Sequence, residues 1–85
     1  KGELIFAQGD RADLVYVIDE GSVDIFRTRP DGSEEHLAML PAGQYFGELG
    51  PLLGFPRSAS ARAASEVTLV AYGPREFRES VLEDA

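Results

Sequence analysis

Cysteine is absent from this chain of 85 residues, and histidine occurs only once, at His36. Without cysteine there are no disulfides and no thiolate metal sites, and the chain has no need of an oxidising compartment. A small β-barrel metalloenzyme requires several imidazoles, and Ser58 and Ser60 lack a partnering histidine that would activate them as nucleophiles. We therefore expect this segment to be neither an enzyme nor a metal-binding or cofactor-binding protein, although its parent protein could be an enzyme, a transporter or a transcription factor.

Basic residues and long apolar runs are also scarce. Eight lysines and arginines stand against fifteen acidic residues, which gives a net charge of −7. Nucleic acids and anionic lipid surfaces both require a basic face, so we expect this segment to contact neither. No apolar run approaches the roughly 20 residues that span a bilayer, and no signal peptide is visible at the start. We expect a cytoplasmic location.

The composition is that of a globular protein, with 44% hydrophobic and 27% charged residues. The length allows one domain, so we expect residues 1–85 to form a single unit. Because the sequence begins and ends abruptly, we also expect it to be part of a longer protein, in which oligomers could form.

Turn signals recur about every 8–12 residues between short apolar segments, which is typical of a β-sandwich or β-roll. Residues 34–40 are compatible with a strand or a helical turn, but their position after Asp31-Gly32 favours the return strand of a hairpin. The other predicted strands cover 3–7, 14–18, 22–27, 44–46, 58–63 and 67–72. Strand alternation predicts a core of Leu4, Phe6, Val15, Val17, Val23, Ile25, Leu69 and Val70.

A different pattern begins at Gly73-Pro74. Proline suits the first turn of a helix, and Phe77 and Val81 follow at helical spacing with charged residues between them. The sequence therefore predicts a mainly β fold that ends in an amphipathic helix.

The stretch FGELGPLLGFPRSASARA, residues 46–63, concentrates unusual features. Gly47 and Gly50 flank Glu48 and permit tight turns with close approach of a ligand. Arg57 is the only lysine or arginine between residues 30 and 61. Free N–H groups of a short helical turn at 48–53, together with Arg57, would bind one phosphate, and Ser58 would add a hydroxyl.

Glu48 can only accept hydrogen bonds, so it suits a sugar hydroxyl rather than a phosphate. A ribose that carries its own phosphate would satisfy Glu48 and Arg57 together. The alternative is that these two side chains simply form a structural salt bridge or face solvent.

This stretch resembles the phosphate-binding cassette of the cyclic nucleotide-binding domain family. The family pattern runs Phe-Gly-Glu-Leu or Met, then several residues, then Arg, a small or hydroxyl residue and Ala. The upstream segment GELIFAQGDRADLVYVIDEGSVDIF is similar to the family's first three strands, so the resemblance covers nearly all of residues 1–82. It implies a double-stranded β-helix, a jelly-roll-like β-roll, with a short helix in the cassette and a C-terminal helix.

The resemblance also implies roles for individual residues. Arg57 would bind the cyclic phosphate, Glu48 would bind the ribose 2′-hydroxyl, and Ser58 suggests cyclic AMP rather than cyclic GMP. Backbone N–H groups near Gly47, Glu48, Ser58 and Ala59 would assist. The sugar and base would be surrounded by Ile25, Leu37, Phe46, Leu49 and Ala61.

Family members carry a full leading helix and a further C-terminal helix that caps the base, and we expect this sequence to lack both. The resemblance implies a regulatory module whose final helix passes ligand binding to an attached effector domain. The alternative is a vestigial domain that keeps the fold as a structural or protein-interaction module without binding a nucleotide.

Overall fold

The computed structural model describes residues 2–47 and 56–82. Short apolar segments, most of them separated by glycine-containing turns, form seven strands in these ranges. They are β1 (Leu4–Phe6), β2 (Val15–Glu20), β3 (Ser22–Thr28), β4 (Glu34–Pro41), β5 (Tyr45–Phe46), β6 (Ser60–Ala63) and β7 (Thr68–Tyr72). Residues 34–40, for which a helical turn was the alternative, belong to a strand that pairs with β3 as a hairpin.

The strands form two antiparallel sheets. One has four strands in the order β1-β6-β3-β4, and the other has three in the order β5-β2-β7. A core cluster of Ile18, Val23, Phe46 and Ala61 draws side chains from both sheets, so the sheets pack face to face. The predicted mainly β roll is confirmed.

The predicted core is right in part. Val15 and Val23 are fully buried, whereas Leu4 and Val70 are 55% and 42% exposed, so their assignment to the core is wrong. The eight buried hydrophobic residues of the described ranges are Val15, Ile18, Val23, Phe26, Phe46, Ala61, Ala63 and Phe77.

A bulge in β1 explains the exposure of Leu4. Leu4 pairs with Arg62 and Phe6 pairs with Ala61, so two steps along β1 match one step along β6. Arg62 and Ala61 are neighbours on β6, so their side chains point to opposite faces of the sheet. Leu4 and Phe6, which pair with them, therefore also point to opposite faces. Leu4 lies on the outer face, while Phe6 packs against the core.

The outer face of the four-stranded sheet carries a network of charges. The Arg62 guanidinium donates to Asp24 at 2.9 Å and to Glu34 at 3.0 Å, and Nδ1 of His36 lies 2.7 Å from Asp24. Arg62 also lies over the ring of Phe26, 4.1 Å from its centroid. This arginine is therefore fully compensated by carboxylates.

The predicted C-terminal helix is present and begins at Pro74. Helix α1 (Pro74–Phe77) continues as a π-helical turn, Arg78–Leu82. Phe77 is fully buried and meets the rings of Tyr45 and Tyr72 edge-on, with centroids 5.0 and 6.4 Å away. This ring holds the helix against β5 and β7. Within the ranges that the structure describes, no helix has the length and apolarity to cross a membrane.

Candidate functional site

The backbone of Arg57 is fixed by the turn that follows β1. The Arg57 N–H donates to the Asp10 carbonyl at 2.9 Å, and the Gly9 N–H donates to the Arg57 carbonyl at 2.8 Å. The Asp10 carboxylate accepts the Ala7 N–H at 3.0 Å, which closes the turn. The Gln-Gly-Asp turn therefore determines where the Arg57 side chain starts.

The Arg57 side chain runs inward and is only 6% exposed. Its Nη1 donates to the Gly47 carbonyl and its Nη2 to the Leu14 carbonyl, both at 2.7 Å. These bonds tie the guanidinium to the end of β5 and to the residue before β2. A long cationic side chain is thus held at the edge of the core by neutral acceptors.

Three of the guanidinium's five N–H donors have no acceptor among the described residues. The group carries five N–H donors, and the described residues supply two acceptors. Its Nε is buried without a hydrogen-bond partner. Arg57 also forms no ion pair within residues 2–47 and 56–82, unlike Arg62. A buried, uncompensated charge is costly, so this geometry favours an incoming anion.

Burial is the largest influence on the pKa of Arg57 and lowers it below the ordinary value. Charge interactions with Tyr16, Asp13 and Asp10 oppose this shift without reversing it. Because an arginine pKa starts far above neutrality, the group stays cationic. Burial therefore costs the guanidinium its hydration but not its charge. An anion at this position would compensate for the lost hydration.

Two aromatic rings lie against the guanidinium, and a third packs against both of them. The Arg57 Cζ is 4.0 Å from the centroid of the Phe6 ring and 5.9 Å from that of Tyr16. Phe6 packs against Tyr16 and Phe46 at centroid separations of 6.0 and 5.9 Å. Tyr16 and Phe46 stack at 5.5 Å. The rings give Arg57 a flat apolar support with a partly negative face.

Gly47 needs to be glycine at this site. Its φ is +79°, and a Cβ at this position would lie 2.6 Å from Arg57 Nη1 and 3.3 Å from Cε2 of Phe6. At Gly47 the structure shows a close approach of the Arg57 side chain to the backbone, and the approach of a ligand there stays a prediction.

The other predicted site residues differ in exposure. Phe46 and Ala61 are both buried, at 4% and 0% exposed. Ile25 packs partly buried against the core, and Ser58 is exposed. Ala59, next to Ser58, is half-buried.

Leu37 is 40% exposed because it is the extra residue of a bulge. Ile25 pairs with Ala38 and Phe26 with His36, which leaves Leu37 without a partner on β3. Glu48 and Leu49 lie outside the described residues, as does the predicted helical turn at 48–53. The roles of these ten residues in ligand binding stay predictions.

Sequence reasoning did not identify the groups that hold Arg57. The carbonyls of Leu14 and Gly47 leave no trace in a sequence pattern, because every residue has a carbonyl. Phe6 was expected in the core but not under a cation. The sequence does show that Gln8-Gly9-Asp10 forms a turn shortly before β2. Nothing in it indicates that this turn holds the backbone of Arg57.

An acidic cavity elsewhere in the described residues does not fit an anion. It has a volume of about 440 Å³ and is lined by Glu3, Glu20, Ala63, Ser65, Glu66, Val67 and Thr68. Its three carboxylates would repel a phosphate. No group of three or more metal-ligating side chains occurs within 2–47 and 56–82.

Comparison with known proteins identifies the family. Residues 1–84 match the family model described as cyclic nucleotide-binding domain. An uncharacterised ABC transporter ATP-binding protein of Mycobacterium tuberculosis is 46% identical over 78 residues, which cover 92% of this chain and 24% of that protein. The cyclic AMP receptor protein of Thermus thermophilus is 42% identical over 82 residues, which cover 96% of this chain and 36% of the relative. The chain therefore spans about a quarter to a third of these relatives.

Solved structures show the same fold. The cAMP-bound form of the EAL enzyme Bd1971 superposes with a TM-score of 0.87 at 36% identity, covering 96% of this chain and 22% of that one. The cGMP-bound form of the same enzyme gives the same TM-score, identity and coverage.

Proposed function

Because the chain belongs to the cyclic nucleotide-binding domain family, we propose that it binds a cyclic nucleotide and that Arg57 holds the cyclic phosphate. The observation that carries this proposal is the buried guanidinium whose Nε has no partner and whose charge no described carboxylate balances. A cyclic phosphodiester has one negative charge and two exocyclic oxygens, which suits one guanidinium edge.

The energetics favour a phosphate over water at this position. Hydrogen bonds to charged groups contribute about 1.5–3 kcal/mol each, and the edge of Arg57 that includes Nε can donate two in parallel. The aromatic support and the two carbonyls already hold the side chain, so little conformational entropy remains to be lost on binding.

Two further residues complete the proposal. Glu48, which follows Gly47 directly, accepts a hydrogen bond from the ribose 2′-hydroxyl, while Ser58 follows Arg57 and donates to the phosphate. One relative is a cyclic AMP receptor protein, and the EAL enzyme Bd1971 has both cAMP-bound and cGMP-bound structures. A small hydroxyl residue at position 58 supports cyclic AMP as the preferred ligand.

We also infer that ligand binding is transmitted to an attached effector domain through the final helix. Gly47, whose carbonyl binds Arg57, is two residues from Tyr45, whose ring contacts Phe77 at 5.0 Å. New hydrogen bonds from the guanidinium to a ligand alter its bond to the Gly47 carbonyl, and hence the end of β5 and the surface on which the helix rests. Coupling of this kind requires the two states to differ in their contacts with ligand.

Calorimetric titration tests the proposal. We expect cyclic AMP to bind with a Kd of roughly micromolar, about −8 kcal/mol, and more tightly than cyclic GMP or linear 5′-AMP. Arg57→Ala should weaken binding more than tenfold while circular dichroism shows intact strands. Arg75→Ala, which removes an arginine whose side chain is 90% exposed, serves as the matched control and should bind normally.

Two outcomes contradict this assignment. Unchanged affinity in Arg57→Ala would remove Arg57 from the site. Absence of any heat with either cyclic nucleotide, in a folded protein, would favour the alternative of a structural module that does not bind nucleotides.

A further inference from the structure

Phe6 reaches Arg57 only because β1 is irregular. In a regular strand Phe6 would share the outer face with Leu4, since side chains alternate with a period of two. Leu4 pairs with Arg62 and Phe6 pairs with Ala61, so β1 has one more residue than β6 over this stretch. The extra residue turns the Phe6 side chain to the inner face of the sheet. Bulges of this kind redirect a side chain next to functional sites.

The redirected ring lies where a counter-ion would otherwise be expected. The Arg57 guanidinium has the Phe6 ring 4.0 Å beneath it and no carboxylate partner among residues 2–47 and 56–82. Arg62 shows the contrasting arrangement, with the Phe26 ring at 4.1 Å and two carboxylates as well. An aromatic face attracts a cation but accepts no strong hydrogen bond, so it leaves the N–H donors free.

We propose that Phe6 is a positioning residue: its ring sets the plane of the Arg57 guanidinium so that the edge containing Nε meets the phosphate of the ligand. This inference rests on the proposed function. A carboxylate in the place of the ring would neutralise Arg57 and compete with the phosphate for the same donors. The ring holds the cation without using up its charge.

Fluorination of the ring provides the sharpest test. Replacing Phe6 by 4-fluoro-, 3,5-difluoro- and 3,4,5-trifluorophenylalanine keeps its shape and progressively weakens the negative face. We expect the cyclic AMP affinity to fall stepwise, by up to about 30-fold in total, the ceiling that a cation–π contact of about 2 kcal/mol sets. The same series at Phe26 is the matched control and should leave affinity unchanged.

A second measurement reports the orientation of the guanidinium. The two phosphorothioate diastereomers of cyclic AMP carry sulfur at one or the other exocyclic position. Phe6→Leu should change the ratio of their affinities, because the guanidinium edge is no longer aimed at one oxygen. Phe6→Tyr should restore the ratio, and Phe26→Leu should not affect it.

The outcomes separate this inference from the proposed function. If the wild type binds cyclic AMP and Arg57→Ala does not, but fluorination at position 6 and Phe6→Leu leave both the affinity and the diastereomer ratio unchanged, Phe6 only packs and the inference fails alone. If the wild type binds no cyclic nucleotide, the proposed function and this inference fail together.

Discussion

Replacing Gly47 by alanine adds a single atom, Cβ, next to the Arg57 guanidinium. The φ of +79° is a conformation that an L-residue adopts at a cost of about 1–2 kcal/mol. The added Cβ would also lie 2.6 Å from Arg57 Nη1, closer than such atoms pack. Because Nη1 is the far end of a flexible side chain, we expect the guanidinium to move rather than the backbone.

The magnitude follows from what that movement breaks. Arg57 would lose its 2.7 Å hydrogen bond to the Gly47 carbonyl, a charged bond of about 1.5–3 kcal/mol. With the backbone strain, we expect Gly47→Ala to lose about 2.5–5 kcal/mol of the free energy of unfolding. Small domains have about 5–15 kcal/mol in total, so the variant should fold with a reduced midpoint.

Urea unfolding followed by far-ultraviolet circular dichroism measures this loss, and calorimetry measures cyclic AMP binding. Gly32→Ala is the matched control, since Gly32 has a φ of +89° and open space around an added Cβ. It should show only the backbone strain and normal affinity, whereas Gly47→Ala should bind at least about tenfold more weakly, a loss of about 1.4 kcal/mol. In an Arg57→Ala background, most of the difference between Gly47→Ala and Gly32→Ala should disappear, with only the 3.3 Å approach of the added Cβ to Phe6 remaining.

Equal destabilisation by Gly47→Ala and Gly32→Ala in the wild-type background, with normal binding in both, would refute this reasoning. It would mean that Arg57 does not lie against the Gly47 backbone.

Three further predictions concern the fold. Gly21→Ala should lose about 3 kcal/mol or more of stability in urea unfolding, because its Cβ would strike the backbone carbonyl of Glu66 at a φ of +90°; wild-type stability would contradict this. Phe77→Ala should lose about 3–5 kcal/mol of the free energy of unfolding, as expected for a fully buried phenylalanine, and should make the final helix more susceptible to proteolysis. An unchanged unfolding midpoint would show that the ring does not anchor the helix. Burial raises the pKa of Asp24, but hydrogen bonds led by that from Arg62 outweigh it and hold the pKa below 3.8. Its contribution is therefore complete above pH 3.8 and is lost as the pH falls further, so Asp24→Asn should flatten the acid limb of the stability–pH curve, and parallel curves would contradict this.

The sequence predicted the strands well because turn chemistry is local. The Gly-containing turns separated the segments, and the strand at residues 34–40 was recognised from the Asp31-Gly32 turn before it. The start of the helix at Pro74 was likewise a local signal.

The faces of the strands were predicted less well because bulges are not encoded in alternation. The irregularity in β1 separates Leu4 from Phe6, and another at Phe26 leaves Leu37 unpaired on β4. Phe26, which is absent from the predicted core, is only 5% exposed, with the Arg62 guanidinium lying over its ring. One added residue reverses every later side chain of a strand.

Within the site, Arg57 stood out in the sequence as a solitary cation in an apolar segment. Its burial and its carbonyl partners depend on residues 10 and 43 positions away, Gly47 and Leu14, so only the fold could reveal them. The sequence pattern thus predicted a phosphate site around Arg57, and the structure added that Arg57 has no ion-pair partner among residues 2–47 and 56–82.

The most direct test of the central claim observes the Arg57 Nε–H itself. In a proton–nitrogen correlation spectrum of arginine side chains, assigned by Arg57→Lys, cyclic AMP should move the Arg57 Nε–H resonance strongly downfield and protect it from exchange, because the unpartnered donor gains a phosphate acceptor. Cyclic AMP that binds by calorimetry but leaves this resonance in place would contradict the account.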